Sequence, residues 1–256
     1  MIHESAVISG RARVHEDVSI GPYSIVGADV EIGPGTQIES HVVLKGPCVI
    51  GRDNHIFQFA SLGDGPQDKK YAGEPTQLVI GDRNTIREYC SINRGTVQDE
   101  GITRLGSDNW IMAYSHIAHD CVVGDHTVFA NNTTLAGHVH IGDWAILGGF
   151  TAVHQYCHIG AHTLTGIFTA VTKDIPAYVL ASGRPAVPRG INAEGLKRRG
   201  FSSDQISNVR EAYRVLYRQD LKLEEAVQTL EKSAENQEEV VAFLESVRES
   251  SRGLIR

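Results

Sequence analysis

The 256-residue sequence predicts an all-β parallel β-helix followed by an α-helical C-terminal domain. Three observations carry that prediction. A branched aliphatic residue recurs at every sixth position, and a small or medium residue stands four places after each. Beyond Pro176 the six-residue period ends, and apolar residues take up helical spacing.

The hexads come first. The series runs Ile2, Ile8, Val14, Ile20, Val26, Ile32, Ile38, Leu44, Ile50, Ile56, Leu62, and resumes at Ile80, Ile86 and Ile92. After a one-residue shift it continues from Leu105 through Ile111, Ile117, Val123, Phe129, Leu135, Ile141, Leu147 and Val153 to Ile159. The companion series is Ala6, Ala12, Val18, Ser24, Val30, Thr36, Val42, Cys48, Asn54, Ala60. A helix cannot keep a six-residue period on one face, and a half-buried strand alternates every two residues. Period six fits short straight segments joined at corners, each pointing one large and one small side chain inward. Three segments close a triangular coil, so residues eighteen apart stack in a column, with coils paired as parallel strands ~4.8 Å apart. Glycines that follow the aliphatics, among them Gly21, Gly33, Gly124 and Gly142, are expected to supply the corners.

Two segments interrupt the solenoid, which otherwise spans residues 1–176. The stretches "GDGPQDKKYAGEPTQL" (63–78) and "GTVQDEGITR" (95–104) are polar and aperiodic, and read as loops thrown out of the coil, the usual place for function on a rigid scaffold. The stretch "IPAYVLASGRPAVPRGIN" holds three prolines, and residues 177–192 within it read as a linker. Residues 193–256 read as a helical domain. Ser202 and Gln205 form a capping box at the start of "SSDQISNVREAYRVLYR", and two further amphipathic helices follow in "LEEAVQTLEKSA" and "EEVVAFLESVRES". Such a tail would cap the open end of the solenoid, which otherwise exposes unpaired strand edges.

A net charge of −7 argues against general nucleic-acid binding, which wants a basic face. No run of eighteen apolar residues is present, and the N-terminus lacks the basic and apolar regions of a signal peptide. The expected location is cytoplasmic. Cys48, Cys90, Cys121 and Cys157 all fall on the small inward position and are expected to fill the core. Eight of the twelve histidines lie between residues 116 and 162, none on an inward position. His126, His158 and His162 are expected to be exposed. His119 stands apart, because it shares a column with Gly137 and Gln155, and Asp120 shares the next with His138 and Tyr156. An imidazole is the natural general base near neutral pH, a carboxylate fixes its tautomer, and a backbone N–H beside Gly137 could face an oxyanion. No serine or cysteine nucleophile shares the column, so direct acyl transfer is the economical chemistry.

The motifs "QDKKYAGEPT" (67–76), "RGTVQ" (94–98), "HIAHDC" (116–121), "NNTTLAGHVHIGDWAILGG" (131–149), "VHQYCHIGAH" (153–162), "EGLKRRGFS" (194–202) and the terminal "RGLIR" closely resemble the UDP-N-acetylglucosamine O-acyltransferase family over essentially the whole chain. That family makes the first acyl transfer of lipid A synthesis. The resemblance implies the left-handed form of the β-helix, and a homotrimer with sites in clefts between subunits. It also implies transfer of an (R)-3-hydroxyacyl group from acyl carrier protein to the sugar 3-hydroxyl of UDP-N-acetylglucosamine. The thioester travels on the carrier's phosphopantetheine, so no resident cofactor and no metal are expected. His119 matches the family's base, Asp120 its partner and Gly137 the oxyanion donor. Gln67, Asp68, Lys70, His116, His138, His154 and Gln155 match contacts to the sugar nucleotide or acyl chain. Asn192, Glu194, Arg198 and Arg199 match nucleotide or carrier contacts.

Two departures bear on specificity. This chain reads "INRGT" where the family often reads "IHRGT", so Asn93 replaces a histidine and leaves open a sugar with a 3-amino group. Ile167 in "TGIFTA" stands where relatives taking long acyl chains carry glycine, and is expected to set acyl length. Other readings remain: a zinc hydratase on the same solenoid, which needs three converging imidazoles, a later N-acyltransferase of the same pathway, and a non-catalytic interaction solenoid.

Overall fold

The computed structural model describes residues 1–234 and 237–256. Short strands of two to five residues follow one another around a triangular coil and assemble into three sheets of nine, eight and ten strands. The register follows the hexad arithmetic: Val7 pairs with Ile25, Arg13 with Glu31 and Ser19 with Gln37, all in parallel. Together with the shape of its solved relatives, described below, this makes the fold the left-handed parallel β-helix.

The inward series packs as expected. Leu44, Ile50, Ile56, Leu62, Ile86, Ile117 and Leu135 are buried, as are the smaller Val42, Cys48, Ala60 and Cys90. All four cysteines are free and buried, and burial pushes the thiols of Cys48 and Cys121 up to about 12. In the first coil Ile2 is 48% exposed.

The corners are built differently from the sequence expectation. The residue in the left-handed region at each corner is usually not glycine. On the corner joining the nine- to the eight-stranded sheet it is Asp120 (φ 59°), His138 (φ 61°) and Tyr156 (φ 64°). On the next corner it is His126, Trp144, His162 and Tyr178, and on the third Tyr89, Tyr114, Phe150 and Phe168. The glycines after the aliphatics are needed for closeness between coils. A Cβ on Gly33 would lie 2.8 Å from the Gly51 carbonyl carbon, and one on Gly142 would lie 2.5 Å from Ala161 N. The left-handed side chains point outward and stack along each corner. Tyr89 lies 4.8 Å from Tyr114, and His126 lies 4.0 Å from Trp144. Burial of aromatic faces against one another offsets part of the conformational cost of each left-handed residue.

Both interruptions leave the coil, but they are shorter than the sequence suggests. Gln77–Ile80 and Ile102–Leu105 are strands that pair with each other in the eight-stranded sheet. Residues 177–192 are not a free linker. Val179–Ser182 completes a last coil, pairing in parallel with the strand at Leu164–Thr165, and Val187–Ile191 folds back antiparallel on it. Among the described residues four helices follow: α1 (Ala193–Arg198), α2 (Ser203–Arg218), α3 (Leu223–Ser233) and α4 (Glu238–Arg248). The capping box at Ser202 and Gln205 forms, while α1 is a short helix that the apolar spacing did not separate. The chain end returns to the solenoid, where Leu254 bridges to Asp174 and covers strand edges of the last coils.

Candidate active site

The polar residues singled out in the sequence divide between separate corners. At the first corner, the nine-stranded sheet places His116–Ile117 and the chain turns through His119 and the left-handed Asp120. The next coil repeats that turn with Gly137 and His138, and the one after with Gln155 and Tyr156. Gln67, Asp68, Lys69 and Lys70 of the first loop and Gln98 of the second hang over these coils. With His119, His138, Gln155 and Tyr156 they line one concavity of about 470 Å³.

At its floor His119 Nδ1 lies 2.8 Å from Asp120 Oδ2. The Asp120 side chain is 1% exposed and that of His119 15%. The Thr96 N–H donates to Asp120 Oδ1 at 2.7 Å, and the Thr96 hydroxyl donates to Oδ2 at 2.6 Å. Burial works against the charged carboxylate, but the hydrogen bonds from His119 and Thr96 outweigh it and hold Asp120 below the usual carboxylate range. An ionised acceptor on Nδ1 places the imidazole proton there and leaves Nε2 as the basic nitrogen. The ring lies flat against Gly137, where a Cβ would come within 2.5 Å of its Cε1. Among the described residues, the Gly137 N–H finds no acceptor.

His138, expected among the site contacts, is buried. The second loop covers it: Asp99 Oδ2 lies 2.8 Å from its Nδ1, and Tyr156 stacks on the other face at 4.4 Å. His116 lies one strand before the corner with Nδ1 2.7 Å from Ser91 Oγ, and burial and then the neighbouring His119 push its pKa down. His154 is exposed, its ring turned to the Gln155 carbonyl. Asn93 does not line the concavity. It is buried and donates to the Gly65 carbonyl at 3.1 Å, bracing the stem of the first loop.

The helical-part residues gather at the second corner. Asn192 caps α1 and donates to the His162 carbonyl at 2.9 Å. Arg199 bonds His162 Nδ1 at 3.1 Å and lies over Trp144, while Glu194 pairs with Arg198 on the exposed face of α1. His162 is therefore not a free surface histidine: burial, then the Arg199 charge, push its pKa down to about 4. Ile167 stands at the third corner, 66% exposed. Only the outer face of the ten-stranded sheet joins the second and third corners, and it carries Trp110, Val128, Ile146 and Leu164 as an outward apolar column.

Sequence columns missed Thr96, Asp99, Thr103 and Gln98, because the inserted loop breaks the register that stacks residues. A metal reading can be tested on the donors. Ligand atoms of His119, Asp120 and His138 lie within 4.8 Å of one another. Yet Asp120 spends its oxygens on Thr96 and His119, and His138 Nδ1 faces Asp99. Two imidazoles beside a committed carboxylate do not make the three-histidine zinc site.

Comparison with known proteins agrees with this architecture. A family model for bacterial transferase hexapeptide repeats matches residues 11–46 and 102–137, and one for UDP-N-acetylglucosamine O-acyltransferase domain 2 matches residues 174–255. The acyl-[acyl-carrier-protein]–UDP-N-acetylglucosamine O-acyltransferase of Thiobacillus denitrificans is 58% identical, and that of Herminiimonas arsenicoxydans 56%, each over 100% of this chain and 99% of its own. The chain belongs to the UDP-N-acetylglucosamine O-acyltransferase family. The solved O-acyltransferase of Acinetobacter baumannii superimposes with a TM-score of 0.98 at 48% identity, over 100% of this chain and 99% of that one. The Arabidopsis O-acyltransferase gives 0.88 at 36% identity, over 100% of both chains. Across the O-acyltransferase chain, no helix of the described residues is long and apolar enough to cross a membrane.

Proposed function

We propose that this chain transfers an (R)-3-hydroxyacyl group from acyl carrier protein to the 3-hydroxyl of UDP-N-acetylglucosamine, with His119 as general base. The observation that carries the reading is the His119–Asp120 pair, seated on Gly137 at the floor of a polar concavity. Nε2 of His119 takes the proton of the sugar hydroxyl as its oxygen attacks the thioester carbon. The tetrahedral oxyanion is met by the Gly137 N–H. Its collapse breaks the C–S bond, and the leaving thiolate takes the proton from the imidazolium. Asp120 holds the ring in the right tautomer throughout. The acyl group arrives already activated on the carrier, so these steps need neither a metal nor a resident cofactor.

The division of residues between corners supports a site completed by a second copy. The concavity lies at the first corner, whereas Arg199, Asn192 and Ile167 lie beyond it on either side of the ten-stranded face. In a closed trimer the first corner of one copy meets that face on its neighbour, so the apolar column becomes the wall beside the acyl chain. Arg198, Arg199 and Lys197 then offer cations to a diphosphate or an acidic carrier protein.

The test is incubation with UDP-N-acetylglucosamine and a panel of 3-hydroxyacyl carrier proteins, with the product identified by mass. A UDP-sugar bearing a 3-amino group belongs in the same panel, because Asn93 replaces the common histidine. His119→Ala is expected to lower turnover by ~10² to 10⁴ while the protein stays folded. Near wild-type turnover by this variant removes His119 from the mechanism.

A further inference from the structure

The second loop leaves the solenoid at Arg94 and returns at the strand Ile102–Leu105. Its neck is closed: a Cβ on Gly95 would come within 2.3 Å of the Gly101 carbonyl carbon. The two threonines at that neck both turn toward Asp120. Thr96 donates its N–H and its hydroxyl, one to each carboxylate oxygen, and Thr103 Oγ1 accepts the Asp120 backbone N–H at 2.8 Å. Thr96 is 1% exposed and Thr103 fully buried. At other corners the N–H of the left-handed residue finds a carbonyl of the preceding coil, as the His138 N–H finds the His119 carbonyl at 3.0 Å. Here the inserted loop stands in that place, and its neck threonines supply the acceptor for the Asp120 N–H and two donors for the buried carboxylate beside His119.

The geometry points to Thr96 as a positioning residue that sets the basicity of His119 through Asp120. The inference rests on the reading of His119 as the base. Oδ2 is shared between two donors, the Thr96 hydroxyl at 2.6 Å and His119 Nδ1 at 2.8 Å. Electron density given to the hydroxyl is withheld from the imidazole. Thr96 thus tempers the carboxylate, which would otherwise favour the imidazolium more strongly and keep the base protonated at higher pH. Other charged groups face the same site: His116 from its own sheet, His138 from the next coil with Asp99 upon it, and Asp68, Lys69 and Lys70 from the first loop. All of them stay in place when only the hydroxyl is removed, so a change at Thr96 isolates its share.

The experiment is the pH profile of kcat/KM for wild type, Thr96→Val and Thr96→Ser, with separate kcat and KM for the sugar nucleotide. The acid limb reports the protonation of the base in the free enzyme. Thr96→Val is expected to move that limb upward by about 0.5 to 1 pH unit and to lower kcat roughly two- to tenfold. KM should hold, since the buried hydroxyl touches no substrate. Thr96→Ser keeps both donors and is expected to restore the wild-type limb. If Thr96→Val does not fold, Thr96→Cys substitutes a weak donor of similar size and should move the limb the same way by less. An unmoved limb in a folded variant lacking the hydroxyl overturns the inference. His119→Ala in parallel separates the two failures: if it is active, the base assignment is wrong, and if it is inactive beside an unmoved limb, only the role of Thr96 is wrong.

Discussion

Gly137→Ala adds one methyl group at the most crowded point of the site. The new Cβ would lie 2.5 Å from Cε1 of His119, 2.8 Å from Nε2 and 3.0 Å from Nδ1. Carbon atoms rest at ~3.5 to 4.0 Å from one another, so the ring must withdraw by about 1 Å. It cannot do so freely, because Nδ1 is held at 2.8 Å by a carboxylate that Thr96 fixes in turn. Either that hydrogen bond lengthens or Nε2 swings off the line of attack. A displacement of about 1 Å at reacting groups costs on the order of 10²-fold in rate. The backbone at Gly137 is outside the left-handed region, so alanine brings no conformational strain and the melting temperature should hold. Gly149→Ala is the matched control, since its Cβ would meet Asn131 O at an ordinary 3.5 Å. The assay is turnover with one acyl donor, followed by product mass, beside a thermal melt. Turnover within threefold of wild type, with the melt unchanged, would refute the claim that the imidazole's seat on Gly137 sets its aim.

Two further outcomes follow from where the residues lie. Lys70 and His119 line the same concavity of one chain, whereas Arg199 sits at another corner. Variants His119→Ala and Arg199→Ala, each impaired alone, should therefore complement when refolded together, recovering about a quarter of wild-type sites in a randomly mixed cyclic assembly. No recovery in mixed assemblies shown to form would place both residues in one subunit's site. Ile167→Gly should shift the preferred donor toward longer 3-hydroxyacyl chains, since each extra buried methylene gains ~0.8 kcal/mol once the branched side chain is gone. Competition between ten-, twelve- and fourteen-carbon donors reads this directly, and an unchanged profile would dismiss Ile167 as the ruler.

The solenoid was legible because its constraint is local and repeated: each hexad must bury one large and one small side chain, and Ile50 with Cys48 or Leu62 with Ala60 say so one coil at a time. The column rule also brought His119 to Gly137 and Asp120 to His138, since both pairs sit in uninterrupted coils. It failed where the chain leaves the period. Thr96 and Thr103 reach Asp120 from the neck of an insertion, and no spacing links them to it. A signal was available, because a carboxylate at a corner walled by a loop needs donors, and threonines at the loop stems can supply them. The corners were misread because a glycine is the usual sign of a left-handed residue. Here stacking along the column supports Tyr, His and Trp in that conformation, and the glycines answer to the spacing between coils. The hairpin at 179–191 was hidden by its prolines, of which Pro188 sits in an edge strand, where no ladder donor is required.

The solenoid has unlike ends. In the first coil Ile2 and Ile8 are only partly covered, while the last coils are covered by the returning chain at Leu254. In a stack where each coil touches only its neighbours, stability is a sum of nearest-neighbour terms, and unravelling proceeds inward from the weaker end. His119, Gly137 and Gln155 lie on three successive coils well inside that stack, beyond the necks of both loops. Fraying of the first coils therefore leaves the reacting groups in register, and an unzipping front must first break the loop-to-corner ties at Thr96 and Thr103 before it reaches the base. The chain thereby keeps its most exactingly placed atoms far from its most perishable edge.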